Sequence, residues 1–329
     1  MSKTAPAFAL GGTAFHHSRM ITSDNAAPTT AARHHQPGGN RIIILFVRRD
    51  FPPQQPPLRV QLWQRNPSMT YDDFSQDYDR FVNWKARLGA EMPFIEAQLQ
   101  KTGGMTPGDR PRVLDSACGT GMHAVALAQQ GYRAAGADLS AGMIARARAN
   151  ADAAGVRIRF ETAGFGGLAP VFIEDDLFPF DGLLCLGNSL PHLLDRKDLA
   201  AALDDFAACL RPGGLLLIQN RNFDAVLRDR QRWIEPQSHQ QGDADWVFLR
   251  FYDFEPDGLI RFNIITLKRE GTAGWQQSVT STHLYPLRQA ELSAVLGAAG
   301  FRDITCYGDM SGTPFDPERS GNLVVTAIG

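Results

Sequence analysis

The sequence predicts an α/β protein with a doubly wound, seven-stranded, mostly parallel sheet. Short apolar runs alternate with helical patterns between residues 112 and 219, which is typical of parallel strands joined by crossover helices. The first run, Val113 to Asp115, leads through the glycine turn Gly119-Thr120-Gly121 into a helix predicted over residues 123–130. Glycines allow a ligand to approach the backbone closely, and the N-terminus of the following helix favours a carboxylate or a phosphate.

The glycine turn fits two ligand-binding patterns. Residues 119–124, Gly-Thr-Gly-Met-His-Ala, match G-x-G-x-x-A, a dinucleotide fingerprint. In that fingerprint the glycines follow the strand directly, whereas here they begin four residues after the acidic strand end, Asp115. The longer pattern D-x-A-x-G-x-G resembles the first motif of class I methyltransferases that depend on S-adenosyl-L-methionine (SAM). The resemblance implies a Rossmann-like fold and contacts to SAM from Asp115, Ala117, Gly119 and Gly121.

Composition excludes several classes of protein. The 329 residues carry a net charge of −2, which gives no overall steering toward nucleic acid or an anionic membrane. No apolar run approaches the length of a membrane span, and the N-terminus lacks a signal-peptide pattern. The four cysteines contain no C-x-x-C pair, which indicates a reducing compartment and no structural metal. We therefore expect a cytoplasmic protein with a small-molecule substrate; the sequence does not set its oligomeric state.

Residues 1–68 differ in character from the rest of the chain. They contain two His-His pairs, a proline-rich run at residues 51–57 and one short apolar stretch flanked by arginines. Such a composition buries too little apolar surface to offset the entropy of ordering, so we predict a disordered, dispensable extension. The paired histidines have no spacing that defines a metal site. The functional domain is expected to span residues 69–329.

A helical cap is predicted before the first strand. Aromatic residues recur at three- and four-residue steps, which places them on one helix face: Tyr71, Phe74, Tyr78, Phe81 and Trp84. This face either packs on the domain or forms a lid over the ligand, where Tyr78 and Trp84 would contact the substrate and attract a cation. A second helix is expected from about Trp84 to Gln100. Arg87 either holds the carboxylate of SAM or is an exposed helix arginine.

The next segment completes the nucleotide-binding half. A second strand, residues 133–138, ends in Asp138-Leu139, where an acid accepts hydrogen bonds from ribose hydroxyls in SAM and in NAD alike. Met143, in the first turn of a helix over residues 141–153, either lies against adenine or packs in the core. A third strand, residues 157–162, is followed by no acid, so adenine recognition is expected to rest on backbone groups and Phe165.

The catalytic face is predicted beyond the fourth and fifth strands. The buried pattern of residues 180–186 ends at Leu186, before Gly187-Asn188-Ser189. After a helix over residues 197–210 and the turn Arg-Pro-Gly-Gly, a strand over residues 215–219 leads to Arg221. Ligands bind beyond the carboxyl ends of such strands. Arg221 suits bidentate binding of a carboxylate, unless it pairs with Asp224 or another local acid.

These segments together resemble the glycine/sarcosine N-methyltransferase branch of the class I methyltransferases. The resemblance is carried by VLDSACGTG, ADLS, FDGLLCLGNSLPHL, LRPGGLLLI and QNRNFD. It implies that Arg221 binds the substrate carboxylate, that Asn188 lines the substrate pocket and that Arg87 anchors the carboxylate of SAM. The chain departs from the family at Phe223, where the family often has tyrosine, and at Gln219-Asn220, which precede the arginine.

An antiparallel β insertion is predicted over about residues 225–286. Residues 246–253 and 259–268 alternate across a Glu-Pro-Asp-Gly turn as a hairpin, and residues 276–284 add a third strand over the substrate site. Arg250 and Tyr252 lie in this hairpin, but alternation does not set which face they occupy. A helix over residues 288–299 and an antiparallel edge pair, residues 301–307 and 322–328, complete the sheet.

The predicted function is transfer of a methyl group from SAM to the amine of a small carboxylate-bearing acceptor such as glycine or sarcosine. Alternatives are a hydroxyl or larger amine as acceptor, an NAD(P)-dependent oxidoreductase and a SAM sensor without activity. Asn188 and Arg221 are the predicted catalytic residues, and with Tyr78 and Trp84 they form the predicted substrate site. The predicted SAM-binding residues are Arg87, Asp115, Ala117, Gly119, Gly121, Asp138, Leu139, Met143, Phe165 and Leu186.

Overall fold

The computed structural model describes residues 78–101 and 110–329. The predictions for residues 1–68, for a functional start near Met69, and for Tyr71 and Phe74 in the cap lie outside the described residues. Within the described part of the chain, no helix is long and apolar enough to cross a membrane.

Two β-sheets contain all the strands assigned in the described residues. The first has the strand order β10-β11-β5-β4-β1-β2-β3, with β1 to β5 parallel and β11 antiparallel to both β5 and β10. The second is antiparallel with the order β6-β7-β8-β9. The strands are β1 Arg112–Asp115, β2 Arg133–Asp138, β3 Arg159–Thr162, β4 Phe180–Cys185, β5 Leu210–Arg221, β6 Trp233–Gln241, β7 Ala244–Phe254, β8 Ile260–Glu270, β9 Gln276–Leu284, β10 Arg302–Tyr307 and β11 Asn322–Ile328.

Helices pack on both faces of the seven-stranded sheet. Their bounds are α1 Trp84–Leu99, α2 Met122–Gln129, α3 Ala141–Ala154, α4 Leu168–Phe172, α5 Arg196–Cys209, α6 Phe223–Arg228 and α7 Gln289–Ala298. Side chains that alternate along β5 enter the two opposite cores: Leu216 and Ile218 join the core under α5 and α7, and Leu217 joins the core under α1 and α2. This confirms the predicted doubly wound α/β class.

Side-chain caps fix where several helices begin. Ser140 accepts the Met143 N–H at 3.1 Å and starts α3, and Asp195 accepts the Asp198 N–H at 2.9 Å and starts α5. Such caps satisfy amide groups that have no partner within the helix. Because α3 directly follows β2, its cap holds the end of β2 at the sheet edge where β1 and β4 also end.

The structure differs from the sequence-based prediction in four elements, one of which is α4, a short helix that was not predicted. The predicted turn at residues 211–214 belongs to β5, whose pairing with β4 shifts between Phe180 and Gly182 to accommodate the extra residues. Helix α6 was not predicted. Strand β6 was not predicted either, because it is polar and largely exposed and its pairing with β7 shifts around Pro236, as is usual for proline in an edge strand.

Strand β7 sets which side chains of the insertion point toward the cap and toward α6. Trp246, Phe248, Arg250 and Tyr252 alternate with outward residues, so they share one face. Phe248 stacks edge-on against Phe81 of the cap at 5.4 Å, and Tyr252 packs on Phe223 of α6. The insertion therefore contacts both the cap and α6, while its covering of the substrate site stays a prediction.

Candidate functional site

The glycine turn between β1 and α2 has the backbone geometry that only glycine adopts easily. Gly119 and Gly121 have φ angles of +53° and +77°. A Cβ on Gly121 would lie 2.8 Å from Ala147 and from the Phe160 ring, so the turn packs tightly beneath. A Cβ on Gly119 would instead face the Tyr78 ring of the cap at 3.8 Å. Gly119 therefore faces Tyr78 of the cap, and Gly121 faces the core.

Asp115 is a buried carboxylate with incomplete hydrogen bonding. It ends β1 with 2% of its surface exposed, and its Oδ1 has no hydrogen-bond partner in the described residues. Burial is the main cause that raises its pKa to about 6, although the nearby His123 and Arg87 oppose the shift. The Ala117 N–H also hydrogen-bonds to this carboxylate. A buried acceptor without a donor is costly unless a ligand supplies a cation or an N–H group.

Asp138 holds the glycine turn against the end of β2. Its carboxylate accepts the Gly119 N–H at 2.8 Å and the Ser140 N–H at 2.9 Å. The next residue, Leu139, is 79% exposed, and its side chain lies close to Gly164. An exposed leucine beside a glycine forms an apolar ledge at the carboxyl edge of the sheet.

The remaining predicted cofactor residues are more enclosed. Met143 is 2% exposed, and Leu186 is buried at the end of β4, where its carbonyl accepts the Ser189 hydroxyl at 2.8 Å. The Phe165 ring packs edge-on against Phe206 of α5 at 5.3 Å. For Phe165 the structure thus shows a packing contact, and its adenine contact stays a prediction.

Arg87 belongs to a charged network under the cap. Its Nε donates to both carboxylate oxygens of Glu91 at 3.1 Å, and Glu91 Oε2 lies 2.7 Å from Nε2 of the buried His123. The guanidinium also lies over the Trp84 ring at 5.3 Å and reaches the edge of Gly187, after β4. The network brings Arg87 toward the ends of β1 and β4, so it is not an exposed helix arginine.

Asp79 is the residue that sequence reasoning missed in the cap. Its Oδ1 accepts the Trp84 indole N–H at 2.9 Å and the Thr120 hydroxyl at 2.6 Å. Its Oδ2 accepts from Arg146 at 2.8 Å and from Asn150 at 3.3 Å. Burial alone would raise the pKa of Asp79, but these donors outweigh it and hold the pKa below its usual range. One carboxylate therefore ties the cap to the glycine turn and to α3.

Asn188 and Arg221, the two predicted catalytic residues, are in direct contact. Asn188 adopts a left-handed backbone with φ of +67°, which is uncommon for a residue with a side chain. Its Oδ1 accepts the Arg221 N–H at 2.9 Å, while its own N–H donates to the Gln219 carbonyl at 3.0 Å. The Gln219 side chain accepts the Gly187 N–H at 2.8 Å. These bonds join the loop after β4 to the end of β5.

The Arg221 side chain has no acidic partner in the part of the chain that the structure describes. Its Nε is buried without a hydrogen bond, and the Asp224 carboxylate accepts the Gln289 N–H at 3.0 Å instead. Tyr252 of β7 hydrogen-bonds to Arg221; burial raises the pKa of this tyrosine, and the charges of Arg221 and Arg250 oppose the shift. The alternative in which Arg221 pairs with a local acid is therefore wrong within residues 78–101 and 110–329.

The predicted site residues converge at one edge of the sheet. Asp115, Asp138 and Leu186 follow three parallel strands at their carboxyl ends, and Arg221 ends a fourth. The order β4-β1-β2 places the switch point of the sheet at this edge, where ligands of doubly wound folds bind. No group of three or more histidine, cysteine or acidic residues among those described has the arrangement of a metal site.

Comparison with known proteins finds relatives that align with the part of the chain that carries these residues. A family model described as a methyltransferase domain matches residues 113–214. The chain is 31% identical over 247 residues to a glycine/sarcosine N-methyltransferase of Halorhodospira halochloris, covering 75% of this chain and 84% of that protein. It is 29% identical over 261 residues to the protein of the same name from Aphanothece halophytica, covering 78% and 89% respectively.

A solved structure shares the fold. An S-adenosylmethionine-dependent methyltransferase from Clostridium acetobutylicum superposes with a TM-score of 0.61 at 17% identity, covering 78% of this chain and 98% of that one. Strand order, glycine turn and relatives define the class: the protein is a SAM-dependent methyltransferase. More narrowly, the chain belongs to the class I SAM-dependent methyltransferases and is similar to their glycine/sarcosine N-methyltransferase branch.

Proposed function

We propose that the protein methylates the amine of a small acceptor that carries a carboxylate, such as glycine or sarcosine. The observation that carries the proposal is Arg221, a half-buried arginine fixed by Asn188 at the carboxyl end of β5, with a buried Nε that has no partner in the described residues. A carboxylate would satisfy this guanidinium in a bidentate pair. The names of the relatives support the same acceptor class.

The residues around the glycine turn fit SAM. The unpartnered Asp115 Oδ1 suits the ammonium of the methionine part, and Arg87 suits its carboxylate. Gly119 presents no side chain to the cleft, and Asp138 stands where ribose hydroxyls would donate. Leu139 and Gly164 would form the apolar ledge for adenine. When bound, SAM supplies a methyl group that its sulfonium charge makes electrophilic.

The chain itself mainly positions the acceptor and excludes water. Arg221 holds the acceptor carboxylate, and Asn188 keeps the Arg221 backbone in place so that the amine points toward the glycine turn. Tyr78 and Trp84 cover the cleft from the cap side. Holding two reactants in line can supply about 7–11 kcal/mol of a barrier. A neutral amine needs no general base, and burial lowers the pKa of His192 to about 4, so we assign His192 a structural role.

The test is transfer of labelled methyl from SAM to glycine, sarcosine and dimethylglycine. The proposal predicts labelled product with at least one of the first two. Arg221→Gln should lower kcat/KM for the acceptor about 10- to 150-fold, because a charged hydrogen bond contributes on the order of 1.5–3 kcal/mol. The matched control is Arg228→Gln, an exposed arginine paired with Asp229. Full SAM binding with no labelled amino acid would redirect the search to hydroxyl acceptors or larger amines.

We also propose that residues 69–329 suffice for this activity. A chain that begins at Met69 should keep the kcat and the SAM affinity of the full-length protein. Loss of either, with the shortened chain still folded by circular dichroism, would show that the extension contributes to the site.

A further inference from the structure

Arg250 lies on the inner face of β7, between two aromatic anchors. Phe248, two residues before it, packs on Phe81 of the cap, and Tyr252, two residues after it, packs on Phe223 just beyond Arg221. Strand periodicity therefore directs Arg250 into the space between the cap and the end of β5. The guanidinium carbon lies 4.8 Å from the centre of the Phe81 ring, which fixes the side chain in this direction.

The Arg250 guanidinium is only partly satisfied by the described residues. Its Nε is buried without a hydrogen-bond partner, as is the Nε of Arg221. Within residues 78–101 and 110–329, its one hydrogen bond runs to the Glu235 carbonyl at 3.4 Å, which is long. A buried guanidinium N–H without a partner is costly unless an anion completes it.

The other arginines of the insertion sheet have acidic partners, although the Nε of Arg269 is also buried without a hydrogen bond. Arg232 pairs with Asp253 at 2.7 Å, Arg261 pairs with Glu255 at 2.6 Å and Arg269 pairs with Asp245. No described carboxylate forms an ion pair with Arg250. Burial lowers the pKa of Arg250, and the positive charge of Arg221 adds to this effect, whereas Tyr252 and Tyr78 oppose it. The guanidiniums of Arg221 and Arg250 are thus close enough at the predicted acceptor site for their positive charges to repel each other.

We propose that Arg250 binds a second acidic group of the acceptor, so that the preferred acceptor is an amino acid with two carboxylates. This inference rests on the proposed function, in which Arg221 takes one carboxylate. Two cationic side chains at one site are best neutralised by two anions, although one carboxylate can accept from two arginines, as Asp181 does from Arg112 and Arg211. With Arg221 on one carboxylate, a side-chain carboxylate two or three bonds from the amine-bearing carbon would match the charge and the donors of Arg250. Arg250 is then a specificity-determining residue of the acceptor site.

The experiment compares acceptors that differ only in the second charge. Initial rates of methyl transfer are measured for aspartate against asparagine and for glutamate against glutamine, with glycine as reference. We expect the acid to exceed its amide in kcat/KM by at least tenfold for at least one pair. Arg250→Gln should bring that ratio to about one, and Arg250→Lys should keep part of it. Arg261→Gln, on the same sheet, is the control and should leave the ratio unchanged.

A binding measurement keeps the inference separate from the proposed function. The wild-type protein loaded with S-adenosylhomocysteine is titrated calorimetrically with succinate and with its monoamide, succinamate. At least tenfold tighter binding of succinate, lost in Arg250→Gln, supports the two-anion site. Equal binding overturns the inference. Methylation of glycine without preference for either acid also overturns it while leaving the proposed function intact, whereas failure of every amino acid as acceptor contradicts the proposed function.

Discussion

Replacing Asp115 with asparagine should stabilise the protein and abolish SAM binding. The substitution keeps the shape of the side chain and removes a buried charge whose Oδ1 has no partner in the described residues. The pKa of this group rises from 3.8 to about 6, and a shift of about 2 units corresponds to about 3 kcal/mol of unfavourable interaction in the charged form. This is the cost that the ammonium of bound SAM would offset.

The contribution of Asp115 to the free energy of unfolding depends on pH, and the raised pKa determines its sign. Between pH about 4 and about 6 the unfolded chain loses this proton while the native protein keeps it, so the contribution of Asp115 to stability falls as pH rises through that window. At pH 7.5, the free energy of unfolding of Asp115→Asn should exceed that of wild type by up to about 3 kcal/mol. For a domain of this size, each kcal/mol raises Tm by roughly 2–4 °C. At pH 4 the difference should vanish.

Thermal unfolding at pH 4, 5.5 and 7.5, with and without S-adenosylhomocysteine, measures both effects. The control is Asp181→Asn, which should destabilise at pH 7.5. Burial alone would raise the pKa of Asp181, but hydrogen bonds from Arg112 and Arg211 outweigh it and lower the pKa to about 2. An Asp115→Asn protein less stable than wild type at pH 7.5 would contradict the cost assigned to the buried charge. An Asp115→Asn protein that the ligand still stabilises fully would contradict the role of Asp115 in binding it.

Three further substitutions test the cap and the acceptor loop. Asp79→Asn should loosen the cap and raise the Kd for SAM, measured by calorimetry, about tenfold. An unchanged Kd with an unchanged Tm would contradict the idea that Asp79 ties the cap to the glycine turn. Glu91→Gln should weaken SAM binding several-fold, because Arg87 loses the carboxylate that orients it; unaltered affinity for S-adenosylhomocysteine would count against that role. Asn188→Ala should lower kcat/KM for the acceptor at least tenfold with little change in SAM affinity, since the Arg221 N–H loses its acceptor; equal losses for both ligands would argue for misfolding.

The parallel strands could be predicted from the sequence because each contains a short apolar run with turn or loop residues on both sides. Strand β2 and the antiparallel β11 begin and end where the pattern placed them, and β1 and β4 each differ by one residue. A hydrophobic pattern indicates which residues are buried. In the middle of a doubly wound sheet the strands are buried on both faces, so an apolar run also indicates a strand. Strand β6 carries no such signal, since most of its residues face solvent and Pro236 interrupts it.

The parts of the site that escaped prediction depend on contacts between distant residues. Asp79 meets Thr120, Arg146 and Asn150 across 41, 67 and 71 positions of sequence, and no local pattern marks such a meeting. By contrast, the pairing of Arg87 with Glu91 was available from their spacing of four on a helix. For Arg250, alternation gave two possible faces, and only the packing of Phe248 on the cap selected one.

The most direct test of the account is a crystal structure of the protein with S-adenosylhomocysteine and the acceptor that it methylates fastest. We predict that the acceptor carboxylate lies within hydrogen-bond distance of the Arg221 guanidinium, and that the ammonium and carboxylate of S-adenosylhomocysteine lie at Asp115 and Arg87. The acceptor amine should then point at the sulfur atom. An acceptor carboxylate bound elsewhere, with Arg221 paired with an acidic residue of the protein, would contradict the proposal that Arg221 binds the acceptor.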